Sequence, residues 1–294
     1  MVNRARAVRT CGGAATNHPT NHTTEGTTAM LKPIGVQLYS LRDYAAKDFP
    51  SVLKFVADLG YVYVEPAGFW DIKPSDFMKM LADLGLKMIS SHSPWCRPGN
   101  IGECMELASI CGLDKIVCGY GPNEFKDLDS IKRTAEQTCR MQEILERNGF
   151  TLFQHNHDFE FQRLDGRIKY DIYRELCPKV KYEIDAFWST SLGKEDPVEM
   201  LKMFAKDTIL LHMKDGISEQ RVAGDNMVNG ILERHVELMP LGTGKLPIKD
   251  IVAAAPEQVQ AIIVELDSCN IEMKAGIEQS YHYMIDNGIA KGNK

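Results

Sequence analysis

The sequence predicts a (β/α)8 TIM barrel of class α/β, on three observations. Eight short β-rich runs recur between residues 34 and 266. Helical segments separate most of them, which requires parallel strands with crossover helices. The first turn, "QLYSLRD", lacks the glycines that open a doubly wound sheet, the rival architecture.

The strands read, in order, as "IGVQLYS" (34–40), "YVYVEPA" (61–67), "LKMISSHS" (86–93), "KIVCGY" (115–120), "FTLFQHNH" (150–157), "VKYEIDA" (180–186), "TILLHMK" (208–214) and "QAIIVEL" (260–266). Between the first two, "DFPSVLKFVADLG" sets Val52, Phe55, Val56 and Leu59 on one helical face and stops at Gly60. "SDFMKMLADLG" repeats the design, with Ser75 as N-cap and Gly85 as stop. "IGECMELASICG" follows, then "DSIKRTAEQTCRMQEILERNG", closed by Asn148-Gly149. The short "YDIYRELCP" comes next, then "DPVEMLKMFAK", "LPIKDIVAAA" and "IEQSYHYMIDNG". The connection 215–244 is long enough to be a lid, a binding loop or a small hairpin.

Residues 30–294 are expected to form one domain. Residues 1–29, rich in Thr, Asn, Gly and Ala, read as a disordered leader or cloning remnant without the apolar core of a secretory signal. That stretch holds three Arg and one Glu, so −8 falls on the remainder of a chain whose net charge is −6. Such a balance speaks against a nucleic-acid partner, since phosphate binding wants a basic surface. No apolar run approaches the roughly 20 residues of a membrane span. The eight cysteines form no CxxC pair and several lie in apolar periodic segments, so a reducing, cytoplasmic compartment is expected.

In such barrels chemistry sits at the C-terminal ends of the strands. The first strand ends on Gln37 and Tyr39, the second on Glu65 and the third on His92. The fifth ends on His155 and His157, the sixth on Asp185, the seventh on His212 and Lys214, and the eighth on Glu265 and Asp267. Residues two apart share a face, as His155 and His157 do. Asp185, His212 and Glu265 close the apolar runs "YEID", "ILLH" and "IIVE" on three adjacent strands. Two carboxylates and an imidazole at matching depth suit a divalent cation: Mn first, with Co, Zn and Fe also suited and Mg left open by the carboxylates. Taken singly, each of these residues is more often a cap, a salt bridge or a satisfied core group.

The motifs "GVQLYSLRD", "HNHDFEF", "YEIDAFW", "LLHMKDG", "PLGTGKLPIKDI" and "IIVELD" together resemble the sugar phosphate isomerase/epimerase family of xylose-isomerase-like TIM barrels. The resemblance spans nearly the whole chain after Met30. It implies a metal held by a Glu, an Asp, a His and a Glu from strands 5 to 8. The last three carry over as Asp185, His212 and Glu265. Where the family has the first Glu this chain has His155, which replaces it as ligand, leaves the place to Glu160, or leaves the metal with three protein ligands and water.

The resemblance further implies a sugar isomerase or epimerase acting on a free or keto sugar through a metal-stabilised enediolate. Glu265 would be one base and His155 or His157 the other. With His155 in place of a carboxylate, one-sided proton removal and loss of a β-leaving group, the reaction of a keto-sugar (keto-glycoside) lyase or dehydratase, is the alternative. Trp188 stands where related ketose epimerases carry a His and offers a stacking face. Glu65, His92 and Lys214 are the polar candidates for sugar hydroxyls. The "GTG" at 242–244 resembles a family loop whose N–H groups bind oxygen atoms. The expected partner is a small carbohydrate, with neither nucleic acid nor membrane. A homo-oligomer or a partner subunit stays open.

Overall fold

The computed structural model describes residues 31–220, 227–228, 231–232 and 234–294, so the expected leader at 1–29 lies outside the described residues. Eight parallel strands form one sheet: β1 (Ile34–Gln37), β2 (Tyr63–Glu65), β3 (Lys87–Met88), β4 (Lys115–Cys118), β5 (Thr151–His155), β6 (Lys181–Asp185), β7 (Thr208–Met213) and β8 (Ile262–Val264). Their spatial order is β3-β2-β1-β8-β7-β6-β5-β4. This is the cyclic order of a barrel, in which pairing of β1 with β8 brings the first strand back to the last. Between β3 and β4 a loop contact stands where a ladder would be: the Cys96 N–H donates to Val117 O at 2.9 Å.

Among the described residues eight α-helices follow the strands: α1 (Arg42–Leu59), α2 (Pro74–Asp83), α3 (Ile101–Cys111), α4 (Leu128–Arg147), α5 (Lys169–Leu176), α6 (Pro197–Phe204), α7 (Ile248–Ala254) and α8 (Met273–Asp286). Two sequence expectations shift. The helix α1 reaches back to Arg42 and kinks at Asp48, whose carboxylate accepts from the Ser51 N–H at 3.2 Å; the stretch read from sequence is its second half. In α2, Ser75 is not the N-cap. Pro74 opens that helix, and the extended Lys73 precedes it without a side-chain cap.

Two packing layers position the site. Outward side chains of the strands, such as Val36, Leu152, Ile184, Leu211 and Ile262, meet the helices. Inward side chains Ile89, Val117, Phe153, Leu210, Ala261 and Ile263 plug the barrel interior. Period-two alternation then sends the next inward residues, His155, His212 and Glu265, to the layer above this plug. The polar cluster is therefore seated on a dry floor.

The connection after β7 is built as a hairpin: Asp215–Gln220 pairs antiparallel with Arg234–Met239, and Met227–Val228 with Ile231–Leu232. At its base the buried Asp215 carboxylate accepts from the N–H groups of Gly216 (2.8 Å), Gly242 (2.9 Å), Gly244 (2.9 Å) and Leu246 (3.1 Å). This corrects the expectation for "GTG", because the Gly242 and Gly244 N–H groups are spent inside the protein. A side chain at Gly244 would put its Cβ 2.1 Å from Asp215 Oδ1, so the close approach requires glycine. Asp215→Ala leaves those donors without a partner. It is expected to destabilise the fold by about 3 kcal/mol, read as a lower midpoint in urea.

Candidate active site

The mouth of the barrel holds a cavity of about 330 Å³, lined by Tyr39, His92, Trp95, His155, His157, Trp188, Glu265 and Asp267 together with Ala67. The size lies within the range of small-molecule sites. Local chain structure presents each wall. After β1 a short 3-10 turn lifts Tyr39 to the rim, where the Arg42 guanidinium lies 4.1 Å from its ring centroid. After β6 another 3-10 turn carries Trp188, whose backbone N–H donates to Asp185 Oδ1 at 2.9 Å. After β3 the loop brings Trp95 against His92, with ring centroids 4.8 Å apart. Gly119 gives Trp95 its seat, since a Cβ there would lie 2.1 Å from the indole ring.

Asn156 aligns the middle of the site. Its Oδ1 accepts from the Asp185 N–H at 2.9 Å and ties the end of β5 to the end of β6. In the sheet Asp185 registers with His212, and His212 with Ile263. The result brings one ligand atom from each of His155, Asp185, His212 and Glu265 within 4.8 Å of one another, all four residues being buried. Glu160 is not in this group. It turns back on its own loop and accepts from the His157 N–H at 2.9 Å. His157 lies past the end of β5 at the rim, with 43% of its side chain exposed.

Two expected sugar contacts are corrected by depth. Glu65 is fully buried and lines no part of the cavity. Its carboxylate accepts from Gln37 Nε2 at 2.6 Å and from Ser90 Oγ, and it meets His212 Nε2 at 2.8 Å. All of its capacity is used in orienting neighbours. Lys214 is likewise buried and absent from the lining. Its ammonium is ion-paired to Asp185 and Glu265, with Asp267 at 3.5 Å. His92, in contrast, does face the cavity.

The residue that sequence reasoning missed is Glu183. It lies two positions before Asp185 on the same face of β6 and is fully buried. Three imidazoles converge on it: His92 Nε2 at 2.6 Å, His155 Nδ1 at 3.2 Å and His212 Nε2 at 3.2 Å. The signal was present in "YEID", where the alternation that points Asp185 inward also points Glu183 inward. Trp95 was also missed. Its only sequence signal is an aromatic after Pro94 in a strand-end loop.

Electrostatics divide the histidines. Burial opposes charge on His212, but Glu183, Glu65 and Glu265 outweigh it and raise its pKa well above the usual imidazole range. The same balance, with Glu65 and Glu183, raises His92. Burial dominates at His155 and holds it well below the usual value, so it is neutral. Burial, reinforced by the Lys214 charge, brings His157 down to about 4. Glu265 is buried as well, yet Lys214 and His212 keep it ionised, well below the usual carboxylate range. Burial raises Asp185 in spite of Lys214.

The donor set suits a divalent cation. His155 is neutral, the state a metal requires of imidazole, with its Nδ1 turned to the Glu183 carboxylate at 3.2 Å. Carboxylates Asp185 and Glu265 supply hard oxygens. His212 offers Nδ1 on the Glu265 side, at 2.8 Å from Oε2, while Nε2 faces Glu65 and Glu183. A metal-bound His with its other nitrogen on a carboxylate is the usual arrangement.

No family model matches the chain, and no curated protein matches it. Solved structures do. A sugar phosphate isomerase/epimerase from Parabacteroides distasonis is 24% identical, over 90% of this chain and 98% of that one, with a TM-score of 0.67. The IOLI protein with a binding zinc atom is 15% identical, over 87% of this chain and 97% of that one, with a TM-score of 0.63. A probable 3-DHS dehydratase, AsbF from Bacillus anthracis, is 13% identical, over 87% of this chain and 99% of that one, again with a TM-score of 0.63. These likenesses establish a shared barrel fold. Among the described residues no helix is long and apolar enough to cross a membrane.

Proposed function

We propose that this barrel, of the xylose-isomerase-like type, is a divalent-metal-dependent sugar isomerase or epimerase acting on a free or keto sugar. The observation that carries the reading is the convergence of His155, Asp185, His212 and Glu265, of which His155 and Glu265 line an aromatic-walled cavity and Asp185 and His212 lie buried behind it. These four residues would hold the cation, Mn by preference. When bound there, it would polarise the substrate carbonyl and stabilise enediolate charge.

The protein's own groups supply the rest. Trp188, Trp95 and Tyr39 offer faces for the apolar side of a sugar ring. Glu265, ionised and facing the cavity, removes the proton beside the carbonyl. Returning that proton to the neighbouring carbon gives isomerisation with one base. Epimerisation needs a second acid on the opposite face, and on this reading that role falls to His157 at the rim. Lys214 holds Asp185 and Glu265 together and offsets their charge.

One observation favours a second reading, a keto-sugar lyase or dehydratase. His157, with its pKa pushed down to about 4, carries no imidazolium proton at neutral pH. Glu265 alone suffices for proton removal followed by departure of a β-leaving group. Incubation with keto-sugars in D2O, followed by NMR, separates the two: deuterium at an inverted carbon means epimerisation, and an alkene or released leaving group means elimination. Recovery of the starting material without exchange from the Mn2+-loaded protein would sink both.

Glu183 is given the task of orienting the two histidine ligands. Glu183→Gln is expected to weaken Mn2+ binding about 10- to 100-fold, measured by calorimetry on metal-free protein. Unchanged affinity would remove Glu183 from that role.

A further inference from the structure

Away from the mouth, α4 packs beside the end of α5, just before the chain enters β6. There Cys139 Sγ and Cys177 Sγ are in direct contact, and Cys139 Sγ lies 3.4 Å from Leu176 O. Both cysteines are free thiols. Cys139 is half-buried and open to a small oxidant, whereas Cys177 is buried behind it at the C-cap of α5. Cys96 and Cys104 also lie side by side, but both are buried. Cys269, the other half-buried thiol among the described residues, is placed 4.0 Å from Asn270 Oδ1.

We propose that Cys139 and Cys177 are a redox modification site, a dithiol that hydroperoxides convert to a disulfide. Exposure decides the order of events, since oxidation follows access to the sulfur. Cys139 Sγ attacks one oxygen of hydrogen peroxide; the O–O bond breaks, the sulfur becomes a sulfenic acid, and water leaves with the thiol proton. Cys177 Sγ then attacks that sulfur, the S–S bond forms, and the sulfenic oxygen departs as a second water with the Cys177 proton. Two thiols and one hydrogen peroxide give one disulfide and two waters, the two sulfurs supplying the two electrons. Burial keeps Cys177 from meeting the oxidant directly, and its contact with Cys139 lets it intercept the sulfenic acid before further oxidation.

The bond would staple mid-α4 to the segment that feeds β6, whose far end carries Glu183 and Asp185. It closes a loop with 37 residues between the two cysteines, which restrains the unfolded chain. A rise of about 5 °C in the thermal midpoint is expected on that ground.

The test uses the full chain treated with stoichiometric hydrogen peroxide, alkylated, digested without reduction and analysed by mass spectrometry. A Cys139–Cys177 linked peptide, two fewer alkylated thiols, and reversal of both by dithiothreitol are expected. The linked peptide should persist in Cys269→Ser and vanish in Cys139→Ser. Recovery of both cysteines fully alkylated would overturn the proposal. So would a Cys96–Cys104 link in place of the expected one.

Discussion

Protein stripped with EDTA is expected to turn over keto-sugars at least about a thousandfold more slowly than the Mn2+-loaded protein, and added Mn2+ to restore the rate. The size follows from the several kcal/mol of charge stabilisation a bound cation gives an enolate oxygen, at about 1.4 kcal/mol per factor of ten. His212→Ala should reproduce the loss without a chelator, because it deletes a proposed ligand and strands the Glu65, Glu183 and Glu265 oxygens around it. The electrostatics add a pH signature. The carboxylates raise the His212 pKa well above the usual range, so the metal-free protein carries a proton there at neutral pH. A ligand nitrogen must lose that proton, so binding releases it and affinity weakens as pH falls below the His212 pKa. Calorimetry in two buffers of different ionisation enthalpy reads the proton count directly. Full activity in protein shown by elemental analysis to be metal-free would defeat the metal reading. So would a well-folded, fully active His212→Ala.

The parts of this centre that were legible in the sequence share one physical property. Asp185, His212 and Glu265 each end an apolar strand, where burial makes an ionisable group conspicuous and period two fixes its direction. The eightfold alternation of strand and helix then supplies the circle that brings strands 6, 7 and 8 together. Glu65 and Lys214 have the same signature, yet they work beneath the cavity. Whether a strand-end group faces the cavity or its support depends on depth, and depth is set by strand tilt and by the size of the neighbours, which one strand's sequence does not contain. Glu183 was hidden because a charged residue inside a strand reads as an outward one until its three histidine partners, on β5, β7 and the loop after β3, are brought around it. The role of Asp215 is non-local in the same way: its Gly242 and Gly244 partners arrive only when the hairpin folds back.

Glu265→Gln is expected to lower turnover about 10²- to 10⁴-fold, the range for loss of a positioned general base, while weakening Mn2+ binding much less. The amide keeps an oxygen for the cation but is far too weak a base to take a proton from carbon. The substitution therefore separates two tasks that the proposed function gives to one residue, since Glu265 both borders the cavity and belongs to the cluster with His155, Asp185 and His212. In D2O the wild-type protein should place deuterium on the carbon beside the carbonyl, or release a leaving group, and the variant should do neither at a comparable rate. His157→Gln then distinguishes the outcomes. If the reaction is epimerisation, loss of the rim imidazole stops inversion but leaves exchange by Glu265 intact. If it is elimination or one-base isomerisation, His157→Gln should retain most of the rate. A metal-loaded Glu265→Gln that exchanges as fast as wild type would move the base elsewhere, and Asp267, the other carboxylate on the cavity wall, would be the residue to replace next.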